Sequence, residues 1–337
     1  MENFSEYSYE DSHERPISSP AASVVYPPKY EKKVQPANVW MKSIISLALY
    51  LVLGFYIFHN FIMLLAITVI VVFHEMGHFL AMKYYRYSDL GIFFIPLLGA
   101  YVSGTKREVS QKESAVILLA GPLPGIILGI GLYFLDQNSA EGIFISHISL
   151  ETIAILMIFL NIINLIPVYP LDGGQLLNRV FLDEEGWISK IFVFLSVGFM
   201  AWVAIKLRIY PLLIFPGMML LRLFTDSKFD AVEKQIETEG INVDTSYRDL
   251  RDEDYWKIRD ILSTKHPGYN EFTPGPPYQY SPKEEKIMTA IESLLHRHLI
   301  QDISIPWKIF LLVLWFAAFL SPWIFGLDMS RFSRFGF

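Results

Sequence analysis

Two histidines four residues apart, with a glutamate directly after the first, stand at His74-Glu75-Met76-Gly77-His78. On an α-helix this spacing stacks both imidazoles on one face, so both can reach a single metal ion. Glu75, one position round, can address a water bound to that ion. The bare pattern is only moderately specific, and its setting says more. The run Phe61–Phe73 has 13 residues, about 20 Å of helix, short of the roughly 30 Å of hydrocarbon in a bilayer. A membrane span closes only if residues 74–82 join it. His74, Glu75 and His78 are then expected at membrane depth, where ionisable groups are costly and mark function.

A tetrahedral zinc ion in a catalytic site takes three protein ligands, so a third must come from elsewhere. Topology narrows the choice. The second span is expected to run outward to inward, which puts the motif toward the inner face. Asp136, Glu141, His147 and Glu151 belong to the opposite face. The fourth span also runs inward and ends in Asn161-Ile-Ile-Asn164-Leu-Ile-Pro167-Val-Tyr-Pro170-Leu-Asp172-Gly-Gly174. Asp172 therefore arrives on the same side as His78. Gly173 and Gly174 are expected to allow a turn that aims the carboxylate back at the metal.

Together, His74-Glu75-Met76-Gly77-His78 and the Asn164 to Gly174 stretch resemble the site-2 protease family of intramembrane zinc metalloproteases. The resemblance covers about residues 41–225. It implies that His74, His78 and Asp172 hold one Zn2+ per chain and that Glu75 is the catalytic base. It also puts Asn164 and Pro167, the family's N-x-x-P pattern, beside the catalytic centre. Ala120-Gly121-Pro122 extends the match; the family often has an asparagine three residues after that proline, and this chain has Gly125. Asn164 has two readings: a group that holds the substrate backbone or oxyanion, or an interhelical hydrogen bond with Asn161 or a neighbouring span.

The elements that must position these groups follow from composition. Of 337 residues, 53% are hydrophobic and only 18% charged, and the apolar residues gather in long runs. This is the pattern of a polytopic membrane protein. The absence of cysteine excludes disulfides, thiolate metal sites and a cysteine nucleophile. A net charge of -6 gives no footprint for nucleic acid. The expected fold is all-α with six to seven transmembrane helices. Spans are expected at 43–58, 61–82, 114–135, 150–169, 187–205 and 309–327, with a short, proline-bearing segment at 209–221. Gly91 to Gly104 is too short to cross and carries aromatic and β-branched residues between glycines, which suggests a membrane-associated hairpin or re-entrant loop.

The domain organisation expected is a disordered cytoplasmic tail over 1–40, a metalloprotease core over 41–225, a small soluble cytoplasmic region over 226–305, a last transmembrane helix over 306–327 and a short tail over 328–337. Ser281-Pro282-Lys283-Glu284 has the form of a helix start, and His296 and His298 fall on that amphipathic helix. Lysines and arginines before the first span and between the second and third predict a cytoplasmic amino terminus and active-site side. The expected partners are the lipid bilayer and a membrane-protein substrate with a transmembrane segment, with no nucleic acid; no feature selects an oligomeric state. The function expected is zinc endopeptidase chemistry within or near transmembrane segments, in regulated intramembrane proteolysis. A catalytically silent metal-binding scaffold or transporter is the alternative.

Overall fold

A computed structural model describes residues 25–31, 39–58, 60–96, 99–106, 109–145, 147–182, 187–295 and 299–327. The chain starts with two long apolar helices, α1 (Val39–Phe58) and α2 (Phe61–Tyr84), separated by a single short turn. Asn60 caps α2 by accepting the Met63 N–H at 3.1 Å. An antiparallel hairpin follows, β1 (Ser88–Ile95) and β2 (Gly99–Thr105), with Phe94 opposite Ala100 and Ile92 opposite Val102. Gly99 has φ +104, a conformation that side chains with a Cβ rarely adopt. The hairpin lies on α1, where the Phe94 N–H donates to Ser46 Oγ at 3.1 Å and Phe94 packs on Tyr50.

The short strand β3 (Val109–Ser110) leads into α3 (Gln111–Ala120) and α4 (Pro122–Gln137). The single third span expected from the sequence is thus two helices joined at Gly121. Pro122 has no N–H for the preceding turn, and its ring crowds the carbonyl four residues back. After a small hairpin, β4 (Phe144–Ile145) and β5 (Ile148–Ser149), comes α5 (Leu150–Asn164). This helix stops at Asn164 rather than running on to Tyr169, because Pro167 and Pro170 remove N–H donors and bias the residues before them to extended backbone. The short helix α6 (Asp172–Leu176) runs into a π-turn at Leu177–Phe181, and α7 (Trp187–Lys206) completes this part of the bundle.

A 3-10 turn at Tyr210–Leu213 opens α8 (Ile214–Thr238). The short, proline-bearing segment at 209–221 is therefore the start of one helix; Pro211 lies in the opening turn and Pro216 in the first helical turn, where a missing N–H costs nothing. The far half of α8 joins α9 (Asp252–Lys265) and α10 (Glu284–Leu294) around a second core built on Val232, Ile236, Tyr255, Trp256, Ile258, Leu262, Ile287 and Ile291. The capping arrangement expected at Ser281 forms in part: Glu284 Oε2 accepts the Ser281 N–H at 2.8 Å, although the helix itself begins at Glu284. His296 and His298 lie outside the described residues. The strand β6 (Leu299–Ile300) pairs in parallel with β3, and α11 (Ile305–Ile324) closes the chain.

Among the described residues, five segments are long and apolar enough to cross a membrane: α1, α2, α3 with α4, α7 and α11. Two further apolar helices are shorter, α5 and the stretch Tyr210–Leu221. Many large apolar side chains on α1, α7 and α11 face outward, among them Val52, Leu195 and Phe316, as lipid-facing surfaces require. Residues 25–31, within the expected tail, lie on the module formed by the far half of α8 with α9 and α10, through hydrogen bonds to α9 and its flanking loops.

Candidate metal centre

His74, Glu75 and His78 are all buried on α2. The helix period puts the two imidazoles one turn apart, with Nε2 to Nε2 at 3.0 Å. Asp172 Oδ2 lies 3.1 Å from His74 Nε2 and 3.2 Å from His78 Nε2. The three atoms form a nearly equilateral triangle. A tetrahedral zinc ion bound at 2.0–2.1 Å spaces its ligand atoms by about 3.3 Å, so the triangle is close to one face of such a site.

The other ring nitrogens decide what this triangle is. His74 Nδ1 lies 2.8 Å from Asn161 Oδ1, whose own amide donates to Met157 O at 2.7 Å. His78 Nδ1 lies 2.8 Å from Ile117 O. Both partners are oxygen acceptors, so in the neutral rings Nδ1 carries the proton and Nε2 presents a lone pair. Two lone pairs and a carboxylate oxygen then face one another inside the protein. Asp172 Oδ2 is sealed from solvent and has no hydrogen-bond partner. Three buried acceptors pointed at one place repel unless a cation lies between them. The donor set, two imidazoles and one carboxylate with the imidazoles held from behind, fits a catalytic zinc ion. Among the described residues, His74, His78 and Asp172 are the one cluster of three or more such groups.

Glycines set how closely the supporting helices approach. A Cβ on Gly77 would stand 1.9 Å from Ala120 O, so α2 and α3 cross backbone to backbone there. A Cβ on Gly121 would stand 2.3 Å from His78 Nε2, and one on Gly125 would stand 2.3 Å from Asn161 Nδ2. Gly129 packs on Ile158 in the same way. Gly121, Gly125 and Gly129 recur every four residues and so line one face of α4. This face carries no side chains, and the His78 ring and the Asn161 amide occupy the room that leaves. The four-residue glycine spacing was visible in the sequence and is the signal that could have found Asn161, which the sequence reading considered only as a partner for Asn164.

Asp172 is the first residue of α6, after the loop Leu165–Leu171. Gly173 and Gly174 do not form the turn expected of them, since both lie within the helix. Their role is close approach: a Cβ on Gly173 would meet Leu165 O at 2.0 Å, and one on Gly174 would meet the Val168 carbonyl carbon at 2.3 Å. The loop thus lies directly on the helix that carries the ligand. Leu171 N–H donates to Val168 O at 2.9 Å, and the Trp315 indole of α11 donates to Leu165 O at 2.8 Å. These bonds fix the approach of Asp172.

Beside the triangle is a cavity of about 80 Å³ lined by Ile70, His74, Glu75, Ala100, Asn161 and Asn164, among others. Glu75 opens onto it from α2. Asn164 reaches the same cavity, but its Nδ2 donates to Leu160 O at 3.1 Å, within its own helix. All five sequence-predicted site residues therefore gather at one place: three around the triangle, Glu75 and Asn164 on the adjoining space.

Residues 62–144 match the model of peptidase family M50. That stretch contains the histidine pair and Glu75; Asp172 lies beyond it. The chain is 25% identical over 230 residues to the zinc metalloprotease MJ0392 of Methanocaldococcus jannaschii, covering 67% of this chain and 65% of that protein. It is 28% identical over 121 residues to stage IV sporulation protein FB of Bacillus subtilis, covering 36% and 41%. The matched regions span less than two thirds of either relative. Among solved structures, a site-2 protease from Methanocaldococcus jannaschii shares 27% identity over 52% of this chain and 83% of that one, with a TM-score of 0.39. The match of residues 62–144 to peptidase family M50 and the two curated relatives agree with the resemblance read from the motifs.

Proposed function

We propose, from the match of the histidine pair and Glu75 to the model of peptidase family M50, that the protein is an intramembrane zinc endopeptidase acting on membrane-protein segments. His74, His78 and Asp172 are the ligands of one zinc ion, and Glu75 is the base. The observation that carries this reading is the triangle of buried acceptors opening onto a cavity that Glu75 also lines. Zinc held there supplies Lewis acidity and an acidified water. Glu75 takes the proton of the attacking water and delivers it to the departing amine. Asn161 and Ile117 O hold the imidazoles in the ligating tautomer. Asn164, on the far wall of the cavity, turns the free hydrogen of its amide to the substrate carbonyl. The amino terminus and the site open to the cytoplasmic side.

A helical substrate has its carbonyls bonded internally and must be held extended to be cut. The Phe94 N–H donates to Ser46 Oγ rather than to β2, so Phe94 and its partner Ala100 form a non-hydrogen-bonded pair of the antiparallel ladder. Ala100, on the cavity wall, therefore has its backbone groups free of β1. This edge of β2 receives the unwound substrate as an added strand. Ala100→Pro removes one N–H from that edge; cleavage should fall at least about tenfold with zinc content unchanged, and full activity would refute strand addition.

The test of the whole reading compares purified wild type with Glu75→Gln on a single-span membrane substrate, with metal content measured in both. Each is expected to hold one zinc per chain. Cleavage should drop by roughly 10²–10⁴, the usual worth of a positioned base. Equal cleavage by the two proteins would remove Glu75 from the mechanism.

A further inference from the structure

The soluble module carries a row of aromatic side chains that the metal centre does not use, and a segment of the amino-terminal tail lies across it. That segment, residues 25–31, reads Val-Tyr-Pro-Pro-Lys-Tyr-Glu. Adjacent prolines fix their own φ near −65° and push the residue before each toward extended backbone. The segment is thus biased toward a polyproline II strand before it meets anything, and such a strand leaves its carbonyls open to outside donors.

Three of those carbonyls find donors on aromatic rings. Trp256 Nε1 donates to Pro27 O at 2.7 Å, the Tyr280 hydroxyl donates to Pro28 O, and the Tyr247 hydroxyl donates to Tyr30 O at 2.5 Å. Tyr26 stacks on Tyr278, and Tyr30 meets Tyr280 edge-on. Trp256 lies against both tyrosines, so the floor is a continuous aromatic surface. Lys29 is read by charge: Nζ donates to the carbonyls of Arg248 and Leu250 at 2.6 Å each, and its backbone N–H donates to Asp252 Oδ1 at 2.8 Å. None of the seven residues is buried. The segment lies on the module, not within its core.

Aromatic grooves with ring donors for carbonyls are how proline-rich strands are recognised in general. The contacts specify a class of ligand rather than one stretch of chain. We propose that the α8–α10 module is a receptor for proline-rich segments of the pattern aromatic-Pro-Pro-basic-aromatic, with residues 25–31 as its built-in occupant. A partner protein that presents this pattern displaces the tail. Because a tethered segment competes at an effective concentration of order mM, the partner must itself be concentrated at the membrane. This inference does not depend on the protease reading, and its test reads binding alone.

The probe is the peptide Val-Tyr-Pro-Pro-Lys-Tyr-Glu with a fluorophore, titrated by anisotropy against full-length protein in detergent. A chain carrying Pro27→Ala, Pro28→Ala and Lys29→Ala should bind it at least about tenfold more tightly than wild type, since its own occupant is weakened. Adding Tyr280→Phe or Asp252→Asn, both at the exposed rim, should cost about fivefold each for one lost hydrogen bond. A peptide with alanine at both prolines should not bind. A second measurement does not rely on the triple variant: the chain has no cysteine, so Glu31→Cys accepts one environment-sensitive label, which should report release of the tail on addition of excess peptide. A tail variant that binds no better than wild type, rim variants that bind equally well, or a label that does not respond would each overturn the proposal.

Discussion

Two carboxylates with buried oxygens anchor the two halves of this molecule, and they are treated in opposite ways. In the soluble module Glu284 is wholly satisfied. Its Oε1 accepts from the Tyr255 hydroxyl at 2.7 Å and from Arg259 Nε at 2.9 Å, and its Oε2 accepts the Ser281 N–H at 2.8 Å. Burial, reinforced by the bond to Glu284, pushes the Tyr255 hydroxyl above the usual tyrosine range, so it stays a donor. In the membrane core Asp172 meets only ring nitrogens that present lone pairs. One carboxylate is a fastening and the other an unfinished bond. A buried carboxylate oxygen alone therefore says little about function; what distinguishes the candidate metal centre is that both ring nitrogens facing Asp172 Oδ2 are arranged to accept.

The contrast can be broken most directly by removing each acid in turn. Glu284→Ala strands a buried Arg259 and should cost the module about 3–5 kcal/mol, read as a lower unfolding temperature in detergent. Asp172→Ala should abolish zinc binding and cleavage yet leave the metal-free protein no less stable, because it deletes an acceptor with no partner. Equal destabilisation of the two metal-free variants would erase the distinction. Next in size is Gly121→Ala, whose added methyl would stand 2.3 Å from His78 Nε2. Displacing that ring should lower cleavage by about 10² or more, with the soluble module unaffected in the same melting experiment. Smallest is Asn161→Ala, which leaves the ligands in place but releases the His74 ring. Zinc affinity should weaken by about 10- to 100-fold, measured by competition with a chelator, and an unchanged affinity would mean that Asn161 does not orient His74.

The candidate metal centre was largely legible in the sequence, because it depends on residue types at short spacings: the histidine pair on one helix face, and an acid placed just past the end of a later apolar helix. Hairpin and bundle could be read from runs and punctuation. The misreadings have a common cause. Pro167 was allowed within a span, and Gly173 and Gly174 were given a turn. In each case the local preference was clear, but its outcome depended on what the segment lies against. The module's groove was out of reach for a related reason. Trp256 contacts Pro27 from 229 residues away, and no local pattern announces such a meeting.

Trp315 makes one further bond worth following, to the carbonyl of Leu165, 150 residues earlier. In order of synthesis the histidine pair and Asp172 are made first, the α8–α10 module next, and the indole that clasps the loop before Asp172 last of the three. A nascent chain therefore holds the three candidate ligands well before the loop that presents the third is clasped from α11.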